Sequence, residues 1–363
     1  MRRHLPRLSL TTRALPMSAL SKAKNKATRP PKAGAALNAP ANGDGGTTRQ
    51  FITTQDAISV GSTGLPLVVG VSTRALFSLE EEHNVFVREG EDAYCALQRE
   101  REATPLGRGC AFEPIKRLLA LNPRDRNQLV EVVLLSRNPP DLALRAFRSC
   151  EHYNLSIVGG SFTSGRPIAP FAAAWGVDLF LSNDEDDVLA ASAAGMAAAR
   201  LGPVPAEAEA ASRDEVHFAL DGDAVIFSAE SERVFRQHGL ETFESHERSN
   251  ALVPMAPGPL GGAFLQKLVQ IRRLCVKSDG TSRVRITIIT ARNAPAHERV
   301  IRTLRCWNAP FDEAHFVGHR TKAPFLAAAG AHIFFDDREA NVKDASPFIS
   351  AGLVPCALRP RDC

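Results

Sequence analysis

The stretch EVVLLSRNPPDLALRAFRSCEHYN (131–154) recurs as RITIITARNAPAHERVIRTLRCWN (285–308), displaced by 154 residues. At the same displacement APFAAAWGVDLFLSN (169–183) recurs as APFLAAAGAHIFFDD (323–337), and PLG (105–107) as PLG (259–261). Nearer the start of each half, VSTRALFSLEEE (71–82) resembles LDGDAVIFSAESE (220–232) at a displacement close to 149. Four blocks repeated in one order mark an internal duplication. Whatever one half folds into, the other must fold into as well.

Within each half, apolar β-branched runs alternate with helical patterns. LPLVVGV, EVVLLS and VDLFLS, then VHFAL, VRITIIT and AHIFFDD, read as buried strands of a parallel sheet. CAFEPIKRLLALN, PDLALRAFRSCEHY and EDDVLAASAAGMAAARL, then GAFLQKLVQIRRLC, AHERVIRTLRCW and KAPFLAAAG, lie between them with helical character. The fold class that follows is α/β, with two duplicated Rossmann-like doubly wound units packed together. The halves are expected at 51–200 and 216–363, joined by LGPVPAEAEAASRDE at 201–215.

Residues 1–49 stand apart, with ten Lys and Arg against one acid, Asp44. Taking them from totals of 44 basic and 40 acidic side chains leaves a body with 34 and 39, so the basic balance belongs to the tail. Such a segment buries too little apolar surface to order itself, and disorder over 1–50 is expected. Its basic, hydroxylated, acid-poor start fits either an organelle transit peptide, for mitochondrion or plastid, or an untargeted tail. The body shows no basic stripe interleaved with aromatics, which argues against a nucleic-acid polymer as partner. No apolar run approaches the roughly 18–20 residues of a membrane span. Seven scattered cysteines without a C-x-x-C pair fit free thiols in a reducing compartment.

The second half carries the chemistry. VHFALDGDAVIF sets Asp221 and Asp223 just beyond a strand, RITIIT ends in Thr290, Lys322 precedes a helix, and AHIFFDD ends in Asp336 and Asp337. In an open parallel sheet these termini converge on one edge, where ligands bind. A phosphate monoester is a dianion that repels a carboxylate nucleophile, so its charge must be neutralised first. Mg²⁺ on Asp221, Asp336 or Asp337 and the Asp223 main-chain carbonyl would do so, with Lys322 adding a second positive charge. Thr290 and the backbone N–H groups of Gly222 and Ala291 would bond the remaining phosphate oxygens. Asp221 would attack phosphorus to give an aspartyl phosphate, and Asp223, with a raised pKa, would protonate the departing oxygen and later deprotonate water.

The first half replaces this set. Ser72 and Arg74 stand for Asp221 and Asp223, Ile168 for Lys322, and Ser182 and Asn183 for Asp336 and Asp337. Only Ser136 keeps the hydroxyl of Thr290. That half is expected to be catalytically silent. Other features carry less: GGSFTSG (159–165) lacks a phosphate-loop pattern and reads as a loop. EEE at 80–82 reads as a solvated helix start, and His297 as a surface helix residue. Arg292, two residues past Thr290, is placed either to touch phosphate or base or to form a structural salt bridge.

D-x-D at a strand end, followed in order by Thr, Lys and D-D, resembles the haloacid dehalogenase (HAD) superfamily of phosphatases. VSTRALFSLEEE, FALDGDAVIFSAESERVFRQHGL, GPLGGAFLQKL, ITARNAPAHERVIRTLRCW and HIFFDD together resemble the cytosolic 5′-nucleotidase type I family over roughly residues 66–357. The resemblance implies hydrolysis of nucleoside 5′-monophosphates, AMP typically, with Mg²⁺ and a cytosolic setting. It puts the nucleophile on Asp221, the acid/base on Asp223, the phosphate hydroxyl on Thr290, the lysine on Lys322 and the metal carboxylates on Asp336 and Asp337. A small cap between Asp223 and Thr290 would select the leaving group. The alternatives are a phosphatase for another small monoester and a silent nucleotide-binding protein, with oligomeric state, a homo-oligomer included, left open.

Overall fold

Strand by strand, the two halves follow one order. In the first, β1 (Leu67–Ser72), β2 (Phe77–Ser78), β3 (Gly107–Arg108), β4 (Val130–Ser136), β5 (Gly159–Phe162), β6 (Leu179–Ser182) and β7 (Ala197–Leu201) alternate with seven helices. These are α1 (Thr73–Leu76), α2 (Glu80–Glu89), α3 (Glu91–Glu100), α4 (Phe112–Leu119), α5 (Asp141–His152), α6 (Ala169–Ala174) and α7 (Glu185–Ala193). The second has β8 (Val216–Leu220), β9 (Val284–Thr290), β10 (Glu313–Phe316), β11 (Ile333–Asp336) and β12 (Ser350–Leu353). Its helices are α8 (Glu230–Ser249), α9 (Ala263–Leu274), α10 (His297–Cys306), α11 (Ala323–Ala329) and α12 (Glu339–Ala345). This computed structural model describes residues 64–123, 128–206 and 215–356; the basic N-terminal segment and most of the 201–215 connection lie outside them.

The sequence implies two packed units, and the structure joins them more closely, as one ten-stranded sheet ordered β10-β9-β8-β11-β12-β7-β6-β1-β4-β5. Neighbours within a half are all parallel. Within this sheet the junction alone is antiparallel, with Leu201 opposite Gly352 and Arg200 opposite Leu353, while β2 and β3 pair antiparallel apart from it. Each half alone would end in an open edge at β7 or β12, and pairing them closes both. Because the junction is antiparallel, the halves' strands run in opposite directions. Their carboxyl ends therefore lie at opposite edges of the sheet.

Side-chain alternation along the strands divides the core. Leu67, Val69 and Val71 of β1 and Val216, Phe218 and Leu220 of β8 enter one cluster shared by both halves. Val68 and Ala219 turn to the other face, where each half keeps a separate cluster under α6 and α7 or under α11 and α12. The shared face is crossed by α4, which touches β4 and β8, and by α9, which touches β1 and β9. Lys267 of α9 bonds Asp178 at 2.7 Å and the Pro66 carbonyl at 3.1 Å, tying the second half to the first.

Two features depart from the sequence reading. GGSFTSG contains an edge strand, β5, rather than only a loop; Gly160 lies so close to β4 that a Cβ there would meet Leu134 O at 2.7 Å. The cap is also not confined to the second half. The helices α2 and α3 meet at Gly90 (φ 87°, ψ −175°), and α8 breaks at Gly239 (φ 78°, ψ −177°), 149 residues on. Within the interval expected to form the cap, α8 buries only Ser231 and Glu247, while α9 belongs to the core. Among the described residues no helix is long and apolar enough to cross a membrane.

Candidate active site

Asp221 stands one residue beyond β8, its N–H donating to Phe335 O at 2.9 Å. Asp336 closes β11, and Lys322 immediately precedes α11. The Lys322 ammonium lies 2.6 Å from Asp221 Oδ1 and 2.7 Å from Asp336 Oδ2. Asp336 also accepts from the Arg338 N–H at 2.7 Å and from Asn341 Nδ2 at 3.0 Å. Asp337 completes a buried trio, whose carboxylate oxygens on Asp221, Asp336 and Asp337 all lie within 4.8 Å of one another.

Three carboxylates face one ammonium. Burial pushes the Asp221 carboxyl up to about 8; Lys322 pulls it down, and Asp336 and Asp337 add to the rise. Burial alone would lower Lys322, but Asp221 and Asp336 outweigh it and hold it above its ordinary value. The cluster thus carries more negative charge than its own lysine balances. Its donors are hard oxygens on converging strand ends, a set that fits a hard divalent cation.

Thr290 closes β9 beside Asp221 and is buried. A Cβ on Gly222 would lie 3.1 Å from Thr290 Oγ1, so the backbone after Asp221 passes directly against that hydroxyl. Ala291 is exposed, with its backbone at the same strand end. Five of the expected side chains, Asp221, Thr290, Lys322, Asp336 and Asp337, thus stand at one edge of the sheet.

Asp223 and Arg292 are arranged differently. The Asp223 carboxylate is not a member of the trio; it accepts from Arg292 Nε and Nη2, both at 2.7 Å. Of the two roles open to Arg292, the structure shows the salt bridge. The side chain is buried, its Nη1 donates to Glu247, and its guanidinium stands 5.5 Å from the Phe243 ring. Its Nε, Nη1 and Nη2 each donate to a carboxylate of the protein. His297 begins α10 and is exposed; Glu80 and Glu81 begin α2 exposed, but Glu82 is buried against Arg145 rather than solvated.

No local sequence pattern announces what fixes Arg292. Glu247 of α8 accepts from Arg292, from Arg299 of α10 at 3.0 Å and from Ser231 at 2.7 Å. The cap helix is thereby tied to the loop that carries Asp223. Glu247 lies in ETFESHERS, where several acids are equivalent on paper, and only the packing of α8 selects one. Asn341, by contrast, follows Asp336 by five residues in the next helix, a spacing that could have been read.

A family described as 5'-nucleotidase matches residues 61–360. Cytosolic 5'-nucleotidase 1B from Homo sapiens is 31% identical over 288 residues, which is 77% of this chain and 47% of that protein. The chain thus spans about half the length of that relative. Among solved structures, the HAD domain of the effector protein Lem4 from Legionella pneumophila aligns with 40% of this chain and 88% of its own. The identity there is 13% and the TM-score 0.25, a likeness too slight to inform the site.

Proposed function

The chain belongs to the 5'-nucleotidase family, and from that premise we propose that its second half hydrolyses nucleoside 5′-monophosphates, AMP-like ones included, through an aspartyl phosphate formed on Asp221. The observation that carries the reading is the Lys322 ammonium bridging Asp221 and Asp336, beside Asp337 and Thr290. A phosphate seated there meets a nucleophile, a fixed positive charge and a hydroxyl at once.

Lys322 draws the phosphate oxygens toward Asp221, and Thr290 with the Gly222 and Ala291 N–H groups donates to those that remain. Asp221, one residue beyond a strand fixed in the sheet, attacks phosphorus in line with the 5′-oxygen. As that P–O bond breaks, Asp223 gives its proton to the nucleoside oxygen. It then takes a proton from water, which attacks the aspartyl phosphate, releases inorganic phosphate and restores Asp221. Asp223 now gives both oxygens to Arg292, so this role requires one of those bonds to open. Mg²⁺ held by Asp221, the Asp223 carbonyl and Asp336 or Asp337 would supply the charge neutralisation that lets a carboxylate approach a dianion.

The test is phosphate release from AMP, IMP, GMP, CMP, UMP, their deoxy forms and two sugar phosphates, with Mg²⁺ and with EDTA. Mg²⁺-dependent release from nucleotides is expected. Release from sugar phosphates alone would discard the substrate class, and release unaffected by EDTA would discard the metal.

A further inference from the structure

At the edge opposite Asp221, the carboxyl ends of the first half's strands open into a cavity of about 350 Å³, within the size range of small-molecule sites. Its floor is the duplicated position of the catalytic cluster, now Ser72, Ser136, Ser182 and Asn183. Ser72 Oγ accepts from the Ala75 N–H and Ser182 Oγ from the Asp184 N–H, both at 3.1 Å, which leaves each hydroxyl proton for another acceptor. Asn183 donates Nδ2 to Arg74 O at 3.4 Å, while its buried Oδ1 has no hydrogen-bond partner. A buried amide oxygen in that state costs stability unless something donates to it.

The charges in the walls narrow the ligand. Arg74 is paired with Glu80, and Arg137 Nε lies 2.7 Å from Asp187 Oδ1, an ion pair of poor hydrogen-bond geometry. Asp184 and Glu91 add further acid. A phosphate dianion therefore meets neutralised arginines, extra carboxylates and no counterpart of Lys322. A divalent cation meets a floor of neutral groups. What the walls suit is an uncharged molecule rich in donors and acceptors.

The cap says what kind. The first half has lost the groups that would handle phosphate and metal, yet it keeps the cap that would face the leaving nucleoside. The Gly90 break matches that at Gly239. Phe86 packs edge-on against Tyr94 at 5.9 Å, as Phe235 does against Phe243 at 6.1 Å, each pair displaced by 149 residues. Arg145 of α5 holds Glu82 at 2.8 Å and Gln98 at 3.1 Å, as Arg299 of α10 holds Glu247. Phe86 lines the cavity and is 43% exposed, so core packing does not account for the ring.

We propose that this cavity binds a neutral nucleoside, its base against Phe86 and His83 and its ribose hydroxyls over Ser72, Ser182 and Asn183. The inference rests on the reading of the second half as a nucleotidase, because that reading makes the retained cap a nucleoside-facing one. The site performs no chemistry, and its occupant is the class of molecule the other edge would release.

Equilibrium dialysis of the full chain against adenosine, with EDTA and no nucleotide present, reads binding without turnover. Saturable binding is expected, weakened about tenfold by Phe86→Ala, the scale of one lost base–aromatic stack. Asn183→Leu should weaken it too, and both variants should hydrolyse AMP at the wild-type kcat. Asp221→Asn should leave the Phe86-dependent binding intact, and inorganic phosphate should not compete. Absence of saturable binding overturns the proposal, as does binding indifferent to both Phe86→Ala and Asn183→Leu. Competition by inorganic phosphate at the Phe86-dependent site would make it an anion site and equally end the proposal. If AMP is not hydrolysed yet adenosine binding depends on Phe86, the catalytic reading fails while the pocket stands. The reverse result fails the pocket alone.

Discussion

The first half keeps the strand order of the second and none of the charged groups of its floor, and the difference separates what builds this fold from what the Asp221 edge adds. The central strands of both halves are largely apolar and pair in the same pattern, with His217 of β8 and Thr287 of β9 buried against each other. The exchanged positions, Ser72 for Asp221 and Ser182 for Asp336, sit at or just beyond strand ends, where a change of side chain removes no sheet contact. Their joint loss also has a physical reason. Removing one member of a buried ion cluster strands the others without partners, whereas replacing all of them leaves no stranded charge. A half that sheds the lysine has every reason to shed the carboxylates.

The widest contrast expected between the halves is kinetic. Asp221→Asn keeps the shape of the side chain and removes the proposed nucleophile, so AMP hydrolysis should fall by at least about 10⁴-fold, as for nucleophiles that act within a unit. Ser72→Ala at the duplicated position should leave the rate unchanged. Circular dichroism and a thermal melt on both variants control for folding. An Asp221→Asn protein with substantial turnover, or a Ser72→Ala protein without it, would break the division of labour between the halves.

The next contrast is energetic. Lys322→Ile copies Ile168 and leaves Asp221 and Asp336 buried without their ammonium, a loss on the order of 3–5 kcal/mol in urea denaturation. Adding Asp221→Ser, Asp336→Ser and Asp337→Asn copies the first half's replacements for all three carboxylates and should recover most of that loss. Stability falling further with each added substitution would mean that the floors differ by more than their charges.

Much of this architecture was legible because it repeats. The strands that were read are runs such as LPLVVGV and AHIFFDD, with apolar residues on both faces as in buried parallel strands, and the duplication supplied each with a second copy. The edge strands β5 and β10 were not legible, since GGSF and EAHF are half-buried and lack an apolar run. Asp221, Thr290, Lys322, Asp336 and Asp337 could be read because strand ends in a parallel sheet must converge. Arg292 left two readings open because its partner Glu247 is more than forty residues away on a helix whose docking no local pattern announces. The second cap is hard to read for a related reason: EEEHNVFVREG (80–90) and AESERVFRQHG (229–239) share only Glu81/Glu230, Val85/Val234, Phe86/Phe235 and Gly90/Gly239.

That shared glycine yields a smaller effect, expected to be equal in both halves. Gly90 and Gly239 hold φ of 87° and 78° with ψ near 180°, a region essentially closed to residues with a Cβ. A Cβ at either would touch nothing within 4 Å, so strain would come from the backbone alone. Gly90→Ala and Gly239→Ala should each cost about 1–3 kcal/mol, read from paired urea melts. Only Gly239→Ala should also change the KM for AMP, because only that cap would cover a reacting substrate. A KM change of equal size in Gly90→Ala would mean that the two caps communicate.

The smallest difference is one of protonation. Gln98 and Glu247 occupy the same place in the two caps, bonded to Arg145 of α5 and Arg299 of α10 respectively, yet only Glu247 can take up a proton. Burial works to raise the Glu247 carboxyl, but Arg292, Ser231 and Arg299 outweigh it and hold the group below its ordinary value of 4.5. A folded-state pKa below the unfolded one contributes stability that is fully present above the unfolded value. That contribution is lost as pH falls through the folded value. The loss from this group therefore begins near pH 4.5 and deepens below it. Glu247→Gln copies the first half and removes the titration. The variant should be less stable than wild type at pH 7, since Arg292 and Arg299 then face a neutral amide, and the two should converge as the pH is lowered below 4.5. Urea midpoints at pH 7, 5 and 4 read this directly. Parallel curves across that range would show that the arginines do not depend on the Glu247 charge, and the two caps would then be equivalent in their electrostatics as well as their shape.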